Sequence, residues 1–219
     1  MVHKPLVSCI TPTYNRHHEL KKMIRMFIAQ TYTNCELIII DDSDIPFDMK
    51  TFNTYDSIKY IRLSKRHSIG AKRNIAVSNA RGTFIAFMDD DDYHGPKRIQ
   101  KQVDSMNSPF CHISVPSFIY YKKKYMNKKF TISRQLQQKV YHKGLITTCM
   151  MFRKSLFTHA QFRNLNLAED AWFIEDLKHK KKHLTISTKL KLSEDDFTYQ
   201  LHGNNTWYSP ELKNACKCI

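Results

Sequence analysis

Short, continuous apolar runs alternate with amphipathic stretches through the first hundred residues. Leu6-Val7-Ser8-Cys9-Ile10 has the look of a buried strand, closed by Thr11-Pro12. Residues 19–30 carry Leu20, Met23, Ile24, Phe27 and Ile28, a spacing that places one apolar stripe along a helix. Glu36-Leu37-Ile38-Ile39-Ile40 predicts a second strand running into Asp41-Asp42, and residues 58–63 alternate as a third. Residues 69–80 predict a helix with Gly82 as its stop, and residues 83–88 a fourth strand ending in Asp89-Asp90-Asp91-Asp92. Pro96 suits the first turn of a further helix whose buried face is Ile99, Val103 and Met106. Strands that are apolar throughout and separated by helices imply a parallel sheet covered on both faces.

Beyond residue 110 the alternation weakens. Strand-like pieces fall at 117–121, 130–133, 149–152 and 184–192, with a helix over 170–178. These predict an α+β second half packed on the first.

Composition changes this picture in three ways. At 219 residues and 42% apolar, the chain suits one ordinary core and is not a disordered polymer. No apolar run approaches the ~18 residues of a spanning helix, and Met1-Val2-His3-Lys4-Pro5 has no apolar leader core, so a soluble, cytoplasmic protein is expected. Cysteines 9, 35, 111, 149, 216 and 218 show no metal-ligand spacing and read as free thiols. The net charge of +15, with lysine runs at 122–124, 128–129 and 180–182, calls for an anionic partner: nucleic acid, a phosphorylated substrate, or peripheral contact with an anionic membrane face.

Candidate chemistry lies where the strands end. In an open parallel sheet, ligands bind beyond the carboxyl ends of the strands. Here those ends are Thr11-Pro12-Thr13-Tyr14-Asn15, Asp41-Asp42 and Asp89-Asp90-Asp91-Asp92. Four consecutive aspartates repel unless protonated or neutralised. Their oxygens suit a hard cation, manganese or magnesium, held by few protein ligands and completed by substrate phosphates.

Taken in order, Val7-Ser8-Cys9-Ile10-Thr11-Pro12-Thr13-Tyr14-Asn15-Arg16, Gln30-Thr31-Tyr32, residues 36–42, Gly70-Ala71-Lys72-Arg73-Asn74-Ile75-Ala76 and residues 82–92 resemble glycosyltransferase family 2. The resemblance implies a GT-A fold of the α/β class: a mainly parallel central sheet flanked by helices, with an α+β second half. It implies one catalytic domain over 1–219, with 1–110 as the nucleotide-sugar half and 111–219 as the acceptor half. The activity implied is metal-dependent, inverting transfer from a UDP-sugar to a hydroxyl of a glycan or glycoprotein. Pro12 and Tyr14 would line the base pocket, Asp42 would accept a hydrogen bond from the base, and Arg73 would lie near base or phosphates. Asp89 would meet the ribose and Asp91 the metal, with Asp90 between. Leu167-Ala168-Glu169-Asp170 resembles the family's E-D element and makes Asp170 the general base. Tyr199-Gln200-Leu201-His202-Gly203-Asn204-Asn205 resembles its C-terminal Y-x-x-H-G-x-N element, placing His202 at the metal or diphosphate. Two departures stand out: Ala76 replaces a common glycine, and Ser43-Asp44-Ile45-Pro46 replaces the usual glycine-serine turn.

Three rival readings remain, one of them the same fold without turnover, a sugar-nucleotide- or glycan-binding domain, against which an intact Asp91 and Asp170 speak. A basic nucleic-acid-binding module would use the charge and Tyr120-Tyr121-Lys122-Lys123-Lys124-Tyr125, but the acidic cleft would repel a phosphate backbone, so no nucleic acid is expected. A nucleotidyltransferase would also pair carboxylates, metal and nucleotide, releasing pyrophosphate.

Overall fold

The computed structural model describes residues 4–106, 108–123, 129–130 and 145–201. The elements in chain order are β1 (Val7–Thr13), α1 (His17–Ile28), β2 (Cys35–Asp41), β3 (Ile58–Arg62), α2 (Ile69–Asn79), β4 (Phe84–Phe87), β5 (Tyr93–His94) and α3 (Arg98–Ser105). There follow β6 (Ile113–Pro116), β7 (Tyr120–Lys123), β8 (Lys129–Phe130), β9 (Met151–Arg153), α4 (Glu169–Lys180), β10 (Ile186–Leu190) and β11 (Phe197–Leu201).

Seven strands form the main sheet in the order β10-β6-β9-β4-β1-β2-β3. All neighbours run parallel except β9, which is antiparallel to both β4 and β6. Alternate residues of the central strands serve opposite layers. Val7, Cys9, Leu37 and Ile39 pack with Leu20, Met23, Ile24 and Phe27 of α1 and with Ile99 and Val103 of α3. Ile10, Ile38, Ile40, Ile85 and Phe87 pack with Ala76 and Val77 of α2 and with Phe173, Ile174 and Leu177 of α4. The two-residue strand period and the helical stripe therefore explain the continuous apolar runs. Ala76 is fully buried in this second layer.

The sequence-based boundaries shift where backbone context intervenes. β1 runs on through Pro12 to Thr13, although proline was expected to close it. Pairing with β4 ends at Ile10, so beyond that point β1 has β2 as its neighbour on one side, a setting that tolerates a residue without an N–H. Gly82 is not the stop of α2, which ends at Asn79. A Cβ at Gly82 would lie 2.6–2.8 Å from the Ser8 hydroxyl, the Ser8 nitrogen and the Leu6 carbonyl, so its role is close approach to β1.

A second sheet has the order β5-β11-β7-β8. β5 and β11 were not foreseen; β5 is two residues long and β11 was read only as a motif. Gly95 lets the chain before β11 run close against the end of β5: its N–H donates to the Asp196 carbonyl at 2.8 Å, and a Cβ there would lie 1.7 Å from the Asp195 carbonyl. Cys9, Cys35, Cys111 and Cys149 are free thiols, as expected. No helix among the described residues is long and apolar enough to cross a membrane.

Candidate functional site

β1, β2 and β4 are parallel neighbours, so their carboxyl ends open on one edge. Three chain segments and the start of α4 meet there and divide into two sides.

On the β2 side the Asp42 carboxylate is buried and fully engaged. One oxygen accepts from Lys72 Nζ at 2.7 Å and from Arg66 Nη1 at 2.8 Å, the other from the His67 N–H at 2.7 Å. Burial alone would raise this carboxyl, but the Lys72 and His67 hydrogen bonds and the two cations outweigh it and hold it below the usual range. Burial pulls the Lys72 ammonium down, opposed by Asp42. Lys72 also donates to the Thr13 carbonyl at 2.8 Å, locking α2 to the end of β1. The Arg66 guanidinium lies 3.3 Å over the Tyr14 ring. Asn15 sits in the left-handed region at φ 52°, clipped by its N–H to Ser43 Oγ at 2.7 Å and by its side-chain amide to Asp44 at 2.7 Å. The atypical Ser43-Asp44 turn thus has a definite task, shaping the Tyr14-Asn15-Arg16 bend. Asp41, on the same turn, is fully buried and accepts from the Ser43 N–H at 2.8 Å and the Tyr60 hydroxyl at 2.6 Å.

On the β4 side carboxylates outnumber cations. Arg73, on α2, donates to Asp89 at 3.2 Å and pairs with Glu169 of α4, its guanidinium stacked 3.8 Å over Phe87. Asp90 is buried, accepting from the Thr13 hydroxyl at 2.5 Å and Arg16 at 3.1 Å. The same Arg16 nitrogen pairs with Asp91, which is more open. Asp92 is buried, one oxygen accepting from the Gln200 N–H at 3.0 Å and the other with no hydrogen-bond partner among the described residues. Asp170 stands in the first turn of α4, half-buried, accepting from the Ala171 N–H at 2.7 Å.

Electrostatics follow from this excess. Burial, reinforced by the charge of Asp91 and opposed by Arg16 and Thr13, pushes Asp90 up to about 7. Asp89 is raised by burial and by Asp91 and Asp170 against the pull of Arg73, and Asp92 is raised well above the carboxylate range by burial and by Asp91 and Asp89. Glu169 is pushed up to about 7 by burial, with Asp170 adding to it and Arg73 opposing. Burial is the larger effect, and one guanidinium shared among Glu169, Asp89 and Asp170 does not offset it. Behind the turn, Arg98 donates to His94 Nδ1 at 2.7 Å, so His94 Nε2 carries the hydrogen and donates to the Asp89 carbonyl at 2.8 Å. Burial and Arg98 hold His94 neutral, its pKa near 3.

Of the residues singled out from sequence, Pro12, Tyr14, Asp42, Asp89, Asp90, Asp91 and Asp170 all lie on this edge. Arg73 lies with Asp89 and Glu169 rather than with Tyr14 and Asp42. His202 falls outside the described residues. Sequence reasoning gave no role to Lys72, Arg66, Glu169 or Arg16. Lys72 adjoins Arg73 in a motif already noted, but Arg66 sits in a loop without periodicity and had no signal. Among the described residues no cluster of three His, Cys, Asp or Glu side chains is arranged to hold a metal. The chemistry of the β4 side nevertheless fits a hard cation with few protein ligands: oxygen donors, surplus negative charge and an unpartnered buried carboxylate oxygen at Asp92.

The model of glycosyl transferase family 2 matches residues 8–160. An uncharacterized glycosyltransferase of Haemophilus influenzae is 26% identical over 98% of this chain and 92% of its own length. A UDP-Glc:alpha-D-GlcNAc-diphosphoundecaprenol beta-1,3-glucosyltransferase of Escherichia coli is 31% identical over 66% of this chain and 56% of its own. Against several other curated relatives the chain likewise spans about half their length. S. aureus TarS in complex with UDP-GlcNAc superposes with a TM-score of 0.68 at 17% identity, over 91% of this chain and 60% of that one. The mannosyltransferase PcManGT from Pyrobaculum calidifontis, in complex with GDP-Man and Mn2+, gives 0.67 at 12% identity, over 94% and 59%. The fold is therefore GT-A, and with its family model matched over more than half its length the chain belongs to glycosyl transferase family 2.

Proposed function

We propose that this glycosyltransferase moves a sugar from a UDP-sugar to a glycan hydroxyl with inversion, aided by manganese or magnesium. The observation that carries the reading is Arg73. By pairing with Asp89 and with Glu169 it sets Asp170, eighty-one residues further along the chain than Asp89, beside the donor-side carboxylates. Residues 1–110 would bind the donor and 111–219 the acceptor.

Tyr14 and Pro12 would form the wall of the base pocket, with Asp42 and Arg66 at its floor. Asp89 would take the ribose, and Asp91, with His202, the cation. A bound cation supplies Lewis acidity, neutralising charge on the departing diphosphate. Asp170 would accept the acceptor's hydroxyl proton as that oxygen attacks the anomeric carbon from the face opposite the UDP. The C–O bond to UDP then breaks, and the new bond forms on the opposite face. Leu165, Leu167 and Trp172 are close to Asp170 in the chain and are 39%, 50% and 43% exposed, apolar surface that an acceptor would pack against, with Arg163 lying 4.0 Å over the Trp172 ring. The names of the E. coli relatives support a glycan acceptor carried on a lipid diphosphate.

The test is a thermal-shift panel with UDP, GDP, dTDP and CMP, each with and without manganese, beside Asp91→Ala. Saturation at a hundred times Kd stabilises by about 2.7 kcal/mol, on the order of 5–10 °C here. A manganese-dependent shift with UDP that is lost in Asp91→Ala is expected. A shift with GDP instead reassigns the donor, and no shift with any nucleotide overturns the reading.

A further inference from the structure

We infer that the outer face of α4 and the loop before it dock on an anionic phospholipid bilayer, with Leu165, Leu167 and Trp172 entering the interface and the lysines that follow meeting the headgroups. Large apolar side chains exposed singly are ordinary on a protein surface, whereas a group of them marks a contact. Six are exposed among the described residues, and three of these, Leu165, Leu167 and Trp172, lie within residues 165–172. They are held outward. The Leu165 carbonyl accepts from the Gly70 N–H at 3.0 Å and the Asn166 side chain from the Ile69 N–H at 3.0 Å, while Asn164 meets the Ser68 hydroxyl. The start of α2 thus pins the loop with its asparagines inward and its leucines outward. Arg163 reaches Asp176 at 2.8 and 3.1 Å and lies 4.0 Å over the Trp172 ring, which fixes the indole. A platform already rigid loses little entropy on docking.

The same helix face carries the charge. Trp172, Asp176, His179 and Lys180 share the side of α4 turned away from buried Phe173, Ile174 and Leu177, and Trp172 and Lys180 stand about 12 Å apart along the axis. The acids of this helix face are already taken: Glu175 pairs with Lys178 and Asp176 with Arg163. From Leu177 to Ser193 the chain has six lysines and no aspartate or glutamate. Lys180, Lys181, Lys182, Lys189 and Lys191 make no ion pair among the described residues. Lys189 lies on β10, an edge strand of the main sheet, and Lys191 just beyond it. A second copy of this chain would set like charge against like. A charged polymer would leave the leucines and the indole without a partner. A bilayer with anionic headgroups answers both features: the indole sits at headgroup depth, and lysine stems reach from apolar surface to phosphates. Either signal alone gives weak membrane binding, and this face has the two together. Docked in this way, the first turn of α4, and Asp170 with it, lies close to the headgroup layer.

The experiment is co-sedimentation of the full chain with vesicles of phosphatidylcholine alone, or of phosphatidylcholine mixed with phosphatidylglycerol, at low and high salt. It reads binding, so its outcome does not depend on the role of Asp170. One variant combines Lys180→Gln, Lys181→Gln and Lys182→Gln; another combines Leu165→Ser and Leu167→Ser. Melting temperatures taken alongside report folding. The chain should bind the anionic vesicles and come off them at high salt. The lysine variant should bind about a hundredfold more weakly and the leucine variant about tenfold. With Trp207→Phe in place Trp172 is the remaining tryptophan, and its emission should move to the blue on anionic vesicles. Failure to bind either vesicle overturns the inference, and binding that neither variant weakens moves the contact to another face. Lysine-dependent binding untouched by the leucine variant, with no change in Trp172 emission, leaves a polyanion site and removes the bilayer. Self-association abolished by the leucine variant, without vesicle binding, gives the surface to a second copy instead.

Discussion

At one edge of the sheet, Asp41, Asp42 and Asp44 sit among Lys72, Arg66 and Arg62, acid and base in rough balance. A strand or two away, Asp89, Asp90, Asp91, Asp92, Glu169 and Asp170 share Arg16 and Arg73 at contact distance, with Arg98 behind. Burial raises the carboxyl on both sides, more deeply at Asp90, and the outcomes are opposite: Lys72, Arg66 and the His67 N–H hold Asp42 below the usual carboxylate range, while Asp90 is driven up to about 7. A balanced cluster holds its shape before any ligand arrives. An unbalanced one stores a demand for positive charge, and that demand is what a metal–diphosphate would satisfy.

The largest expected effect sharpens the unbalanced side. Asp170→Asn should lower kcat by about 10²–10⁴-fold, the range of general base catalysis, while leaving the UDP-induced thermal shift unchanged. Equal loss of nucleotide binding would move Asp170 to the donor site. Next, Lys72→Met attacks the balanced side. Removing one partner of a buried ion pair should cost about 3 kcal/mol, on the order of 10 °C in Tm, read by denaturant and thermal unfolding. A loss under about 1 kcal/mol would show that Arg66 and the His67 N–H suffice for Asp42. Tyr14→Ala should raise the UDP-sugar KM by about 5- to 150-fold, from ~1–3 kcal/mol of base stacking, with kcat little changed. An unaltered KM would make the ring a support for Arg66 alone.

The smallest effect concerns pH. Glu169 is raised from 4.5 to about 7 by burial and by Asp170, so the native state holds a proton that the unfolded chain has lost. Its contribution to stability is full below about pH 4.5 and fades as pH rises through about 7. Thermal scans between pH 5 and 8 should show Tm falling, by on the order of 5–10 °C from this group, and Glu169→Gln should reduce that slope, with Asp90, raised to the same range, supplying part of the remainder. An unchanged slope in the variant would return the titration to other groups.

The first half of the chain was legible because its elements are self-declaring. β2 and β4 are uninterrupted apolar runs, and α1 has a clean stripe, each set by contacts with one sheet. β11 was missed as a strand because its pairing partners, β5 and β7, lie far away in sequence and are themselves short. The aspartate run was visible as a cation-seeking feature, and the structure adds how its members differ. Asp90 turns to Thr13 and Arg16, Asp92 to the Gln200 backbone, and Asp91 faces the more open side.

By itself the sequence determined the alternating layers, the three polar strand ends, two of them bearing carboxylates, and the family, because hydrophobic period and motif order are properties of the chain taken locally. Only the tertiary structure decided which cation meets which acid. It set Lys72 and Arg66 on Asp42, Arg73 between Asp89 and Glu169, and Arg16 on Asp90 and Asp91. Those pairings join residues 16 to 96 positions apart, and Coulomb attraction depends on distance in space and on burial, neither of which adjacency along the chain records.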